Sequence, residues 1–440
     1  MHRFSPAFTF IGLLLIILSL PSGTSLAQTQ GLTVQQCIDI ALERNIGVIT
    51  AKNNLGRAKW DLWDAWGDAL PNISASARYG YNKSFGKQYQ PELGIEVEVP
   101  GTKSYSTGLS ISMTLFDGGA TWFNIKRSSL LKTASRNDLR QQILSTIYSV
   151  RQAYYSLVSA YMLRRVQEDA LARSKKQLEV TTSRYELGSA SLSEKLKAQV
   201  NVANDSLTLL QRVNDIQTAE FNLNVLMNRD VSLPVNPVDT LARVDISRSL
   251  DECIETALND NPSLKSTKAS YDAARASTKI SRQSWVPRAN MSLNWGWSTR
   301  ESGEWFSYKY DNGAYSFGIN FSYGLFDGFT KKTAYSKARL SEQTARENYE
   351  SERNVLIYNV RQAYLDIQKA RLQHETALLA EMSAAEDMKL QQERYRLGAS
   401  SILELLDAQV SLTNAQYSRI SALYQLNLAV AAMARAMGQM

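Results

Sequence analysis

The chain has 440 residues, with 49 Lys and Arg against 42 Asp and Glu, two histidines and two cysteines. Its formal charge of +7 is mild and is not gathered into a Lys/Arg block, which argues against nucleic-acid binding. Catalysis has little support either. No phosphate loop, nucleophile elbow or zinc spacing occurs, and His374 stands in a helical stretch without a neighbouring Cys or His, so no catalytic residue, metal or cofactor is expected.

The chain opens on a signal peptide, residues 1–27. Arg3 supplies positive charge, Phe8 to Leu20 is mostly apolar, and Ser25-Leu26-Ala27 suits cleavage before Gln28. The apolar run is too short to span a bilayer as a helix. Losing it removes one Arg and leaves +6 of the +7. No Cys follows where a lipoprotein would need one, so no lipid anchor is expected. Beyond Gln28 no apolar stretch is long enough for a spanning helix, which excludes an inner-membrane protein.

The mature chain repeats itself. Cys37 and Pro71 recur as Cys253 and Pro287, at an offset of 216. Phe116-Asp117-Gly118, Arg151-Gln152-Ala153-Tyr154 and Arg184-Tyr185-x-Leu187-Gly188 recur at an offset of 210, as Phe326-Asp327-Gly328, Arg361-Gln362-Ala363-Tyr364 and Arg394-Tyr395-x-Leu397-Gly398. Landmarks in one order mean a duplicated unit. The repeats are 28–227 and 249–440, two lobes of one structure. Residues 228–248, with Pro234 and Pro237, form an extended linker between them. The six lost residues fall between Pro287 and Phe326, in a loop that tolerates length change. Cys37 and Cys253 occupy equivalent apolar faces and read as buried free thiols.

Within the first repeat, Leu32 to Asn45 predicts a short amphipathic helix with Val34, Ile38, Ala41 and Leu42 on one face. A second helix ends before Pro71. The period then changes to two. Strands are predicted over 72–82 and 107–116, joined by a loop with Gly86, Pro91, Pro100 and Gly101. The second repeat predicts strands over 288–298 and 315–326. Each alternates bulky apolar residues, such as Ile319 and Phe321, with small polar ones, such as Asn320 and Ser322. A soluble half-buried sheet also alternates. Here the polar face is almost uncharged and aromatics reach the strand ends, the pattern of a barrel with lipid outside and water inside.

Asp117 and Asp327 stand where they can cap the helices that follow, and the adjacent glycines allow a sharp turn. Those helices are long. Residues 120–227 and 329–437 read as two helical hairpins. Ile143, Ile147, Val150, Tyr154, Leu157 and Tyr161 form a heptad seam that calls for partner helices. The first hairpin turns at Gly188, a C-cap, and Ser191, an N-cap. The second turns at Gly398 and Ser401.

Four strands cannot close in lipid, where an open edge leaves backbone groups unsatisfied. The chain must share a barrel with copies of itself; two copies would supply eight strands and three would supply twelve.

The duplicated helix–strand–strand–hairpin order, the Phe-Asp-Gly strand exits and the Arg-Tyr-x-x-Gly tips resemble the outer membrane efflux protein family, the TolC-like exit ducts. The resemblance covers nearly all of the mature chain. It implies an α+β membrane protein: long coiled-coil hairpins forming a periplasmic tunnel, and four strands per chain in a twelve-stranded trimeric β-barrel. It implies a passive duct of a tripartite efflux or type I secretion system, in the outer membrane and periplasm. The partners implied are a periplasmic adaptor and an inner-membrane transporter. By the same resemblance, Glu404 and Asp407, three residues apart on one helix face, would line the pore constriction. The first repeat has Glu194 and Lys197 there, so the acidic pair is not duplicated. Tyr395 is the gate-latch candidate, although the family's Arg position holds Ser400. Gly188, Ser191, Gly398 and Ser401 are the adaptor-docking candidates. The competing reading is a structural or adhesive surface protein with a coiled-coil stalk. Strands placed between the hairpins, rather than at one chain end, favour the duct.

Overall fold

Each half of the chain builds the same four α-helices and two long strands in the same order, and the first adds a short hairpin between its strands. A computed structural model describes residues 31–92, 94–98, 101–242, 248–306 and 313–439; the signal peptide expected over 1–27 lies outside them. The first half runs α1 (Val34–Arg44), α2 (Ile46–Gly67), β1 (Asn72–Asn82), β2 (Lys87–Gln90), β3 (Ile95–Glu98), β4 (Thr102–Phe116), α3 (Ala120–Glu186) and α4 (Leu192–Leu226). The second runs α5 (Leu250–Asp260), α6 (Pro262–Gln283), β5 (Arg288–Thr299), β6 (Gly313–Ser322), α7 (Thr330–Arg396) and α8 (Ile402–Ala436). Equivalent helices have equal lengths of 11, 22, 67 and 35 residues. The length difference sits between the strands. Nineteen residues separate Asn82 from Thr102, and thirteen separate Thr299 from Gly313.

Side chains dictate the helix ends. Thr33 and Ser249 open α1 and α5 through capping boxes with Gln36 and Glu252. Asn45 ends α1 in extended backbone, and its side-chain Oδ1 accepts from the N–H groups of Gly47 and Val48 to start α2. Asn261 does the same for α5 and α6. The amides then tie each short pair to the end of its returning helix: Asn45 Nδ2 donates to the Leu226 carbonyl and Asn261 Nδ2 to that of Ala436, both at 3.0 Å.

Two equivalent cores surround the short helices. Cys37, Ile38 and Ala41 pack on Val150, Tyr154 and Leu157 of α3 and on Leu223 of α4. Cys253 and Ala257 pack on Val360, Ala363 and Ile367 of α7 and on Met433 of α8. Both cysteines are buried free thiols, and burial pushes the Cys37 thiol up to about 11. The segment after α4 lies on the first core through Val235 and Leu241. It is pinned by Tyr154, whose hydroxyl donates to the Leu32 carbonyl at 2.9 Å and accepts from the Asp239 N–H at 3.1 Å.

The main sheet is antiparallel in the order β1-β4-β5-β6, and β2 and β3 form a separate hairpin. Register places Ala75, Leu109, Trp295 and Tyr315 in one row across the sheet and Ser74, Ser110, Asn294 and Ser316 in the next. The alternation therefore produces one apolar face and one small polar face. Two strands differ from expectation by more than one residue. β4 starts at Thr102 rather than near 107, because Arg78–Asn82 of β1 supplies partners for Thr102–Ser106. β6 covers Gly313–Ser322 rather than 315–326. Its partner β5 begins at Arg288, opposite Ser322, immediately after Pro287, so Tyr323–Phe326 have nothing to pair with.

The helices form a layer below the sheet. α3 packs on α4 and α8, α8 packs on α7, and nearer the sheet α6 fills between α3 and α7. Its outer members in the lower part, α4 and α7, keep apolar stripes exposed. On α7 these are Tyr358, Leu365, Leu372 and Leu379, one per seven residues; on α4 they include Leu196, Val200, Leu207 and Leu210. Among the described residues no helix is long and apolar enough to cross a membrane.

Candidate functional site

The strand exits position everything below them. The Asp117 carboxylate accepts from the N–H groups of Gly119 (2.9 Å) and Thr121 (2.7 Å) and from the Thr121 hydroxyl (2.6 Å). It thus supplies the cap of α3 from two residues before the N-cap, Gly119, which has no side chain to do so. Burial raises the Asp117 pKa, but the bonds from Thr121 and Gly119 outweigh it and leave the carboxyl below its ordinary 3.8. Asp327 likewise accepts from the Lys331 N–H at 2.9 Å.

At the far end of the helices stand the two tips. Each long helix closes with paired backbone bonds around a left-handed glycine. Ser189 N–H donates to the Arg184 carbonyl (2.8 Å) and Gly188 N–H to that of Tyr185 (2.9 Å); Ala399 and Gly398 repeat this with Arg394 and Tyr395. Gly188 and Gly398 have φ of +70° and +73°, and a Cβ at either would meet nothing within 4 Å. Glycine is needed there for backbone angle, not for space within the chain. Ser191 and Ser401 are N-caps, accepting from Glu194 N–H (3.2 Å) and Glu404 N–H (3.3 Å). All four tip residues are exposed.

Glu404 and Asp407 share an exposed face of α8. Glu404 is already engaged. One carboxylate oxygen accepts from the Ser401 N–H (3.4 Å) and hydroxyl (3.1 Å), completing a capping box, and the other lies 3.7 Å from Arg394 Nη1. This exposed ion pair is weak.

Tyr395 is only 6% exposed and packs with Met388, Ile402, Leu405 and Ala198 in a small core that joins the two tips. Its hydroxyl has no hydrogen-bond partner, and neither does the Ser400 hydroxyl. The Arg184 guanidinium, from the first tip, sits 5.0 Å above the Tyr395 ring. Sequence reasoning missed Arg184. The signal was available: Arg184 is the repeat counterpart of Arg394. Tyr185, by contrast, is 38% exposed, with Lys195 Nζ 5.3 Å from its ring.

A polar layer farther up the hairpins was also missed. Gln167 of α3, 2% exposed, donates to the Asp205 carbonyl of α4 at 3.0 Å and accepts a short hydrogen bond from Tyr417 of α8. Arg173 Nη2 donates to Thr413 Oγ1 at 3.3 Å. Burial lowers the Arg173 pKa, opposed by Asp169 and Asp205. The layer fastens the second hairpin to the first through buried polar groups. Among the described residues no cluster of His, Cys, Asp or Glu could hold a metal ion.

The architecture has close counterparts. The CmeC outer membrane channel of Campylobacter jejuni superposes with a TM-score of 0.83 at 19% identity, over 92% of this chain and 85% of that one. The open state of the MtrE outer membrane channel of Neisseria gonorrhoeae gives 0.80 at 22%, over 92% and 89%. In sequence, outer membrane protein TolC of Salmonella enteritidis is 24% identical over 383 residues, 82% of this chain and 73% of that protein. Protein CyaE of Bordetella pertussis is 22% identical over 77% of this chain and 72% of its own length. The model of the outer membrane efflux protein family matches residues 38–229 and 253–439, one segment in each repeat. The chain belongs to the outer membrane efflux protein family; it is an outer membrane transport protein and not an enzyme.

Proposed function

We propose that three copies of this chain close into one duct, a twelve-stranded barrel continued by a helical tunnel, that conducts substrates passively across periplasm and outer membrane. The observation that carries this reading is that sheet and helix layer are open on both sides. Among the described residues β1 and β6 each lack a second partner strand, and α4 and α7 keep apolar stripes exposed. A β6-to-β1 and α7-to-α4 join between neighbours satisfies all four edges at once. The second reading, an adhesive stalk, needs no sheet open at both edges in register with the helix edges.

On this reading the tips face the periplasm. Gly188, Ser191, Gly398 and Ser401 present a capped, side-chain-poor surface to a periplasmic adaptor, and an inner-membrane transporter supplies the energy. Glu404 and Asp407 ring the entrance. Tyr395, covered by Arg184, latches the second tip to the first. The test of the assembly is the mass of the mature protein in detergent, with bound detergent subtracted. A trimer is expected. A folded monomer overturns the reading.

A further inference from the structure

The apolar face of the sheet carries a trench that conduction does not use. Ala75, Ala77 and Thr107 make a low floor beside the tall rings of Trp295 and Trp297, Phe306 stands over it, and the space measures 780 Å³. Cross-strand register orders it. Moving away from the helices, Ala75, Leu109 and Trp295 form one row, Ala77, Thr107 and Trp297 the next, and Tyr79, Tyr105 and Thr299 the outermost.

The outer end is built by the turn after β5, which folds back over the face. Trp305 Nε1 donates to the Ser106 carbonyl at 3.4 Å, and its ring lies 5.1 Å from Tyr105, which lies 5.1 Å from Tyr79. Phe306 stacks on Trp305 at 5.4 Å. Thr107 is only 9% exposed, and its hydroxyl has no hydrogen-bond partner. A buried hydroxyl without a partner is costly and uncommon. Here it lines a cleft otherwise made of hydrocarbon and aromatic rings, one row inside the Tyr79–Tyr105 pair. Tyr and Trp belts mark the headgroup level of a bilayer, so the hydroxyl lies at the depth of acyl esters.

We propose that this trench binds one acyl chain of a membrane lipid, the chain lying against Ala75, Ala77 and Trp295 and its ester carbonyl accepting from the Thr107 hydroxyl. The proposal rests on the duct reading only for the placement of this face in lipid. It differs from the general solvation of a barrel wall in having a walled slot, a closed outer end and one unpaired hydroxyl.

The test uses the full mature protein, reconstituted in vesicles of palmitoyl-oleoyl phosphatidylglycerol and then stripped of bulk lipid by repeated detergent exchange. Lipid retained per chain is counted by native mass spectrometry. Wild type is expected to hold one lipid per chain. Ala77→Phe fills the floor and should lose it. Thr107→Val keeps the shape, removes the hydroxyl and should weaken retention several-fold. Ile73→Phe, on the same strand and face but outside the trench, should retain lipid as wild type does. No retained lipid in wild type, or wild-type retention in Ala77→Phe or Thr107→Val, overturns the proposal. Trimer assembly is scored in the same spectra, so failure of the duct reading is seen separately.

Discussion

Asp117 shows how one carboxylate can aim a helix. It replaces the cap that Gly119 cannot provide, and it does so at the point where the chain leaves the sheet. Asp117→Ala should lower stability by about 1 kcal/mol, the usual cost of a lost cap, measured as a drop in thermal midpoint of the assembled protein. Its folded pKa is depressed, so this contribution is complete above the carboxyl's ordinary 3.8 and is lost as pH falls through the lower folded value. The difference between wild type and variant should therefore shrink only in strong acid. At the tips, the proposed latch at Tyr395 rests on its ring, because its hydroxyl has no partner. Arg184→Ala removes a cation–π contact of about 1–2 kcal/mol in a partly buried setting and should raise the conductance of the resting channel. Tyr395→Phe keeps the ring and should conduct nearly as wild type does. The reverse order in single-channel recordings would mean that the hydroxyl, not the ring, holds the tip.

The strands and long helices were legible in the sequence because both are periodic over many residues. Alternation through Asn72–Asn82 and Arg288–Thr299 and the 3–4 spacing of Val150, Tyr154 and Leu157 are local patterns. What escaped was non-local or broke the pattern. Lys103 interrupts the apolar side of β4, so its first five residues were missed until β1 showed what they pair with. Gln167 and Tyr417 are 250 residues apart and meet only because α8 packs on α3. Phe329 takes a left-handed φ of +68° where the first repeat has Gly119 at +90°, a choice no propensity would suggest. The face assignment of β6 has a direct check. Ile319→Arg, one row further into the sheet than Phe321, places a charge toward lipid at a cost of up to about 2–4 kcal/mol and should block assembly. Asn320→Arg, one residue away on the polar face, should assemble and change conductance. Equal assembly defects would show that the face assignment is wrong.

At the scale of the whole molecule, duplication makes the halves equal in frame and unequal in charge. Every α-helix is matched in length, yet α8 carries Glu404 and Asp407 where the first repeat has Glu194 and Lys197. Three copies would thus present alternating acidic and mixed tips. Glu404→Gln with Asp407→Asn is a clean probe, since Gln can still complete a capping box with Ser401 and the fold is preserved. Planar-bilayer recordings should show loss of most cation preference and of block by multivalent cations, with the trimer intact. Unchanged selectivity would return both residues to an ordinary solvated helix face.

The strand exits and the long helices together form a lever. A 67-residue helix spans about 100 Å, so a rotation of about one degree where it leaves the sheet carries its far end about 2 Å sideways. A displacement of that size at the tips thus demands almost nothing of the sheet. The two fulcrums are not alike. The first consists of Gly118 and Gly119, at φ of +71° and +90°; the second replaces one glycine with Phe329, whose ring also rests 5.8 Å from Phe326. The arm that ends near Glu404 and Asp407 leaves the sheet through the joint with one glycine fewer.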